Sequence, residues 1–236
     1  MTRKLVFWTA FNSYRSTKVM RFLPPGSPHP VTTLEWTENR IKYFGMFNLR
    51  SILKQTYDDF VYIVLMDPEL RSMTEPLMPK IDDRIIYCYE DAPGLAIIKQ
   101  FDEIALTLID SDDMYSNVAG EIIMNPDNKE WMTFRHGYAY DYYKAQLYLY
   151  DTICTGPFYA RRLNPKSFNL FQREKRHPGH KSVAVYHPQE LPAGNFCVTL
   201  HGSNTSSHLN MRNVLKGSQP DRELFNMNFN NLMDIV

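Results

Sequence analysis

The sequence predicts an α/β domain built on a mostly parallel central sheet, and three observations carry that expectation. Four stretches, at 4–11, 60–66, 85–89 and 105–109, are almost wholly apolar and rich in β-branched or aromatic residues. An amphipathic helix lies between the first two, with Ile41, Phe44, Leu49, Ile52 and Leu53 recurring along 35–55 among charged neighbours. An acidic string, Asp110-Ser111-Asp112-Asp113, follows the last. Strands apolar on both faces and alternating with helices belong to parallel sheets covered on both sides.

Each further element follows from its local chemistry. After the first strand, Pro24-Pro25-Gly26-Ser27-Pro28-His29-Pro30 forbids a helix or central strand, so 14–33 is expected to be a surface loop. A helix is expected over 95–104, and helical spacing resumes with Val118, Ile122 and Ile123. The stretches 131–134 and 138–143 flank Arg135-His136-Gly137 and read as a β-hairpin that forms a smaller mixed sheet. Phe196–Leu200 reads as a last strand, and the Asn-rich tail as a terminal helix or a partly ordered end.

With 26 basic and 26 acidic side chains the formal charge is zero, so no long-range field gathers nucleic acid or an anionic membrane, and neither is expected as a partner. A local basic run, Arg161 to Lys181, reads as a solvated face. A chain of 236 residues buries roughly 70% of its unfolded surface, enough for a core without cross-links. We read 1–236 as a single domain with a nucleotide-binding half at 1–113, an acceptor-side half at 114–215 and a tail at 216–236. Cys88, Cys154 and Cys197 are isolated, which indicates neither a disulfide framework nor a zinc site, and a cytoplasmic location is expected. The apolar run at 5–11 is too short for a signal peptide, and no run of ~18 apolar residues predicts a membrane span.

Three carboxylates in four positions repel one another unless a cation or a solvated turn separates them. A hard divalent ion, magnesium or manganese, suits such oxygens and leaves positions for phosphate. Ligands of open α/β sheets sit beyond the C-terminal ends of the strands, where this string is expected. A metal there would neutralise the charge developing on a leaving diphosphate. The same string equally suits a helix start, with Asp110 as cap and Asp112 and Asp113 on the dipole.

Three segments carry a family likeness. Asn39-Arg40-Ile41-Lys42-Tyr43-Phe44 with Leu49-Arg50-Ser51-Ile52-Leu53-Lys54-Gln55-Thr56-Tyr57-Asp58-Asp59-Phe60, then Leu108-Ile109-Asp110-Ser111-Asp112-Asp113, then Leu200-His201-Gly202-Ser203-Asn204-Thr205-Ser206 resemble the rhamnosyltransferase-like family of GT-A glycosyltransferases. The chain departs from that pattern at Leu108 and Ile109, where an arginine often precedes the acidic motif. The resemblance implies a GT-A fold and a metal-dependent transfer of a hexose or deoxyhexose from a nucleotide-diphospho-sugar donor to a glycan or small-molecule acceptor. It makes Asp110, Asp112 and Asp113 the catalytic acidic motif, with Asp112 a direct metal ligand, Asp110 nearby or on the ribose, and His201 completing the metal shell.

Donor contacts are expected from Asn12, Arg40, Glu90, Asp91, Lys99 and Asp110, although a solvated arginine or lysine and a capping acid are ordinary alternatives. Tyr140 and Tyr142, with Asp141 between them, offer an acceptor side, since flat rings stack on sugars; alternating tyrosines also build ordinary strands. His180 is a further phosphate candidate, and Asp141, Glu121 and Asp151 are equal candidates for a base. Two rival functions stand beside this one. A sugar-phosphate nucleotidyltransferase would want a Gly-rich loop where Asn12-Ser13-Tyr14-Arg15 has none. A catalytically silent carbohydrate-binding protein on the same fold is the other.

Overall fold

The computed structural model describes residues 2–11, 32–89, 91–152, 158–167, 186–201, 214–215 and 219–232. Strand β1 (Arg3–Ala10) pairs in parallel with both β2 (Phe60–Leu65) and β4 (Glu103–Leu108), and β2 pairs in parallel with β3 (Ile85–Cys88). Antiparallel β9 (Tyr159–Leu163) then joins β4 to β6 (Trp131–Thr133), and the two-residue β10 (Gln189–Glu190) closes the edge. The order is β10-β6-β9-β4-β1-β2-β3; the sheet is mostly parallel, as expected, and β6, β9 and β10 extend it to seven strands beyond the four expected. Chain order reverses direction across the sheet between β1 and β4, which makes that boundary the topological switch point.

Alternation along β1 explains the two layers. Leu5 and Phe7 face one core with Phe44, Leu49 and Ile52, whereas Val6 and Trp8 face another with Ile98 and Cys88. Helix α1 (Leu34–Tyr43), a π-helical segment (Phe44–Leu49) and α2 (Arg50–Leu53) cover the first face as one continuous rod. Thr33 caps its start by accepting from the Trp36 N–H. Helix α4 (Asp91–Ile98) covers the second face; the short α3 (Arg71–Thr74) lies between β2 and β3.

The smaller sheet is mixed, with order β5-β11-β7-β8 for β5 (Met114–Tyr115), β11 (Phe196–Leu200), β7 (His136–Asp141) and β8 (Gln146–Asp151). β7 runs parallel to β11 and antiparallel to β8, while β5 is antiparallel to β11. Gly137 sits where β7 and β11 approach, and a Cβ there would lie 2.6 Å from the Phe196 carbonyl oxygen. The tail supplies α6 (Arg222–Asn228), whose Phe225 packs edge-on to Tyr138.

The expected hairpin is corrected. Residues 131–133 belong to the large sheet and 136–141 to the small one, so Phe134 and Arg135 cross between sheets. Phe134 turns because its N–H donates to the Phe158 carbonyl and its ring enters the core beside Tyr115. The real hairpin is β7–β8, whose turn lacks Gly and Asn and instead holds Ala145 at φ 48, with Asp141 accepting from the Lys144 N–H. The helix expected over 95–104 is displaced to 91–98, because the Asp102 and Glu103 N–H groups already pair with the Thr2 carbonyl at the sheet. Helix α5 (Ala119–Met124) lies where the spacing of Val118, Ile122 and Ile123 predicts one.

Candidate active site

Residues 110–113 form a tight turn, with the Asp113 N–H donating to the Asp110 carbonyl at 3.1 Å. This turn carries the chain from β4 of the large sheet to β5 of the small one, beside the C-terminal end of β1. The carboxylates meet three different environments. Asp110 is exposed, whereas Asp112 and Asp113 are buried at 5% and 4% exposure.

The rod over 34–53, with Gln55 two residues past it, holds the turn and the segment that follows through a polar line at helical spacing, Arg40, Asn48, Ser51 and Gln55. Arg40 grips Asp112 with both terminal nitrogens, Nη2 lying 2.9 Å from Oδ1, and its Nε and Nη2 also donate to Ser111 Oγ at 3.0 and 2.7 Å. Asn48 Nδ2 donates to the Asp110 and Asp113 carbonyls at 2.9 and 3.1 Å, while the Tyr62 hydroxyl donates to Asn48 Oδ1. Ser51 Oγ accepts from the Tyr115 N–H, and Gln55 reaches the Ser116 carbonyl and the Gly120 N–H. A π-helical turn widens the rod where Phe44, Phe47, Asn48 and Leu49 are all buried.

Strand β11 approaches from the other side. Its Thr199 N–H donates to Asp113 Oδ1 at 2.9 Å, and the Thr199 hydroxyl donates to the Asp112 carbonyl. His201, just past the strand, places Nε2 3.0 Å from Asp112 Oδ2 and stacks its ring on Tyr43 at 3.9 Å. The expected approach of His201 to Asp112 is therefore present.

Burial pushes the Asp112 carboxyl upward, but the Arg40 guanidinium and His201 more than offset it and hold the group at about 2. Asp113 moves the other way: burial, then the neighbouring Asp112 and Asp110, raise it well above the usual carboxylate range. One ionised aspartate thus satisfies Arg40, and its neighbour is pressed toward the neutral form.

As these side chains stand, they do not fit the divalent ion, manganese or magnesium, expected at Asp112, His201 and Asp110. Both Asp112 oxygens already accept from Arg40. Nε2 of His201 lies 3.0 Å from Asp112 Oδ2, and in the tautomer that donates to that carboxylate it has no lone pair for a metal. A doubly charged ion about 4 Å from the guanidinium would meet a repulsion on the order of 8 kcal/mol at the effective dielectric of a protein. Among the described residues no three His, Cys, Asp or Glu side chains converge on one point.

The other candidate residues divide. Arg40 belongs to the site as the partner of Asp112. Lys99 follows α4 at the opposite end of β4, about 20 Å of strand away from the turn, so it does not serve the same ligand. Tyr140 is a core residue, 1% exposed and packed edge-on to Phe47, and offers no open face. Tyr142 stays at the site: its N–H donates to the Leu200 carbonyl and its ring meets Tyr43 edge-on at 5.5 Å. Asp141 pairs with Leu200 in register and with Lys144 Nζ at 2.9 Å, beside His201. Asp151 pairs with Arg135 at the far end of the same hairpin. Asn12, Glu90, His180, Asn204 and Ser206 and the side chain of Asp91 lie outside the described residues.

Sequence reasoning missed Asn48, Ser51, Gln55, Ser111, Thr199 and Tyr43. One signal was available for three of them: with Arg40, they recur at helical intervals on a face that also carries the buried Phe44. A polar line on a core-facing stripe needs buried partners.

No family model matches the chain, and no curated protein matches it. The family resemblance of the acidic and terminal motifs is therefore not shown at that level. Among solved structures, the chain is similar to the glycosyltransferase GlyE of Streptococcus pneumoniae at 10% identity and a TM-score of 0.37, covering 85% of this chain and 46% of that one. It is also similar to the 4-diphosphocytidyl-2C-methyl-D-erythritol synthase of Anaerococcus prevotii at 11% identity and a TM-score of 0.35, covering 86% of this chain and 89% of that one. This chain thus spans less than half of the GlyE chain. Likenesses this faint leave the activity to the site itself. Among the described residues no helix is long and apolar enough to cross a membrane.

Proposed function

We propose that the chain is a glycosyltransferase that takes a nucleotide-diphospho-sugar at the C-terminal ends of β1 and β4 and transfers the sugar to a glycan-like acceptor. The observation that supports this most is the place of Asp110. Its exposed carboxylate stands at the switch point of the large sheet, where open α/β sheets bind nucleotides, on a turn whose backbone Asn48 fixes from below. The resemblance of 39–60, 108–113 and 200–206 to rhamnosyltransferase-like GT-A proteins points the same way.

Asp110 accepts hydrogen bonds from the donor, the ribose hydroxyls being the matching groups. The metal role assigned to Asp112 and His201 is replaced by a structural one, since Arg40 and His201 lock Asp112 in place. Tyr43, Tyr142 and Asp141 line the side of the small sheet, and Lys42 holds its ammonium 5.7 Å from the Tyr43 ring and 5.8 Å from that of Tyr142. This brings a cation to the end where a diphosphate leaves and an acceptor approaches. Asp141 stays ionised on this side, because Lys144 keeps its carboxyl low against the upward push of burial; that makes it a fixed negative charge and hydrogen-bond acceptor beside an acceptor, and a weak base.

Incubation with a panel of nucleotide-diphospho-sugars tests the reading by product. Glycosyl transfer or hydrolysis cleaves the sugar–phosphate bond and releases nucleoside diphosphate. Pyrophosphate release from a nucleoside triphosphate and a sugar phosphate would instead mark a nucleotidyltransferase, and sugar binding without turnover a silent binding protein.

A further inference from the structure

We propose that Arg40 stands in the place of a divalent cation at Asp112, so that the acidic turn carries its own counter-ion and takes up no metal. The proposal deepens the function proposed above and rests on it only for where the donor sits. Four of the five guanidinium N–H groups are aimed at the turn, two at the Asp112 oxygens and two at Ser111 Oγ. The pair is closed from water, with 8% of the Arg40 side chain and 7% of the Asp112 side chain exposed. Trp36 lies 5.9 Å from the guanidinium carbon, and Thr199 and His201 close the other side of Asp112. A charged fork held from this many directions is a fixed part of the site.

The chemistry differs from that of a bound metal. A guanidinium keeps its charge at every working pH and cannot be removed by a chelator, whereas a metal needs free oxygen ligands. With Asp112 compensated by Arg40, the turn presents less negative charge to a donor diphosphate without help from a cation. The sequence string suggests a metal motif because Arg40 lies far off in the chain.

Manganese titration followed by electron paramagnetic resonance tests the proposal on the protein alone, with no nucleotide present, so its outcome is separate from the question of activity. After chelator treatment, the wild-type protein is expected to show no sub-millimolar manganese site that Asp112→Asn abolishes. Arg40→Ala, checked for folding by circular dichroism, frees the Asp112 oxygens and is expected to tighten manganese binding at least tenfold. A tight wild-type site lost in Asp112→Asn overturns the proposal, and so does a folded Arg40→Ala protein with unchanged manganese affinity. Should Arg40→Ala not fold, the wild-type and Asp112→Asn titrations decide alone.

Discussion

Arg40 and Asp112 stand 72 residues apart in the chain and form one bidentate, buried ion pair, with Nη2 2.9 Å from Oδ1. The pair ties the rod over the large sheet to the turn that leaves it. Removing one partner leaves the other charge buried alone, which costs about 3–5 kcal/mol in comparable pairs. Arg40→Leu is expected to lower stability by that amount in urea denaturation, and Arg40→Lys by less, because one ammonium replaces one arm of the fork.

Asn48 binds the two carbonyls at the ends of the same turn. Asn48→Leu keeps the volume and leaves both acceptors without this donor, an expected loss of about 2–4 kcal/mol. Asn48→Asp is expected to be worse, since it turns a carboxylate oxygen toward carbonyl oxygens. Tyr62→Phe removes only the hydroxyl that donates to Asn48 and should cost about 1 kcal/mol. Chemical denaturation of the three variants gives the ranking.

The two buried aspartates predict opposite pH dependences. Asp112 is lowered in the folded protein to about 2 from 3.8, so its contribution, about 2 kcal/mol, is present above pH 4 and lost as pH falls toward 2. Asp113 is raised, so it binds more protons folded than unfolded, and stability falls as pH rises above the ordinary carboxylate range. Asp113→Asn keeps a carbonyl oxygen for the Thr199 N–H and removes the repulsion. It is expected to be more stable than wild type at pH 7 and equal to it near pH 3. Denaturation midpoints across that range check the sign.

Tyr140 and Tyr142 separate packing from function. Tyr140→Ala empties a buried site and should cost about 3–5 kcal/mol, as large aromatic truncations do. Tyr142→Ala, half-buried beside Tyr43, is expected to lower sugar transfer more than donor hydrolysis while shifting the thermal midpoint only slightly. Equal loss of both activities would place Tyr142 on the donor side.

The four parallel strands of the large sheet were legible because they are mostly apolar, and Leu5, Val6, Phe7 and Trp8 go alternately to two cores; β9 was not, because Arg161 and Arg162 read as a solvated basic run although the strand pairs with β4 inside the sheet. The small sheet was not, because Trp131 to Tyr143 shows one alternating pattern while its halves join different sheets. Phe134, whose N–H meets the Phe158 carbonyl from beyond the β7–β8 hairpin, marks the crossing. Within the site, the convergence of His201 and Asp112 was implied by the family resemblance of the two motifs. The role of Arg40 did not, since its fork meets Ser111 and Asp112 only after the rod has docked. For Asn48 the core-facing stripe signalled burial but not the partner: it binds backbone, and backbone partners leave no trace in residue type.

The central claim is that Asp110 receives a nucleotide-diphospho-sugar at the switch point of the large sheet. Isothermal calorimetry of the wild-type and Asp110→Asn proteins against a panel of nucleotide-diphospho-sugars that varies the base tests it most directly. The account predicts 1:1 binding of one base series, weakened about tenfold or more by Asp110→Asn, as the loss of a charged hydrogen bond requires. Failure of every donor to bind the wild-type protein, or binding that Asp110→Asn leaves unchanged, would contradict it.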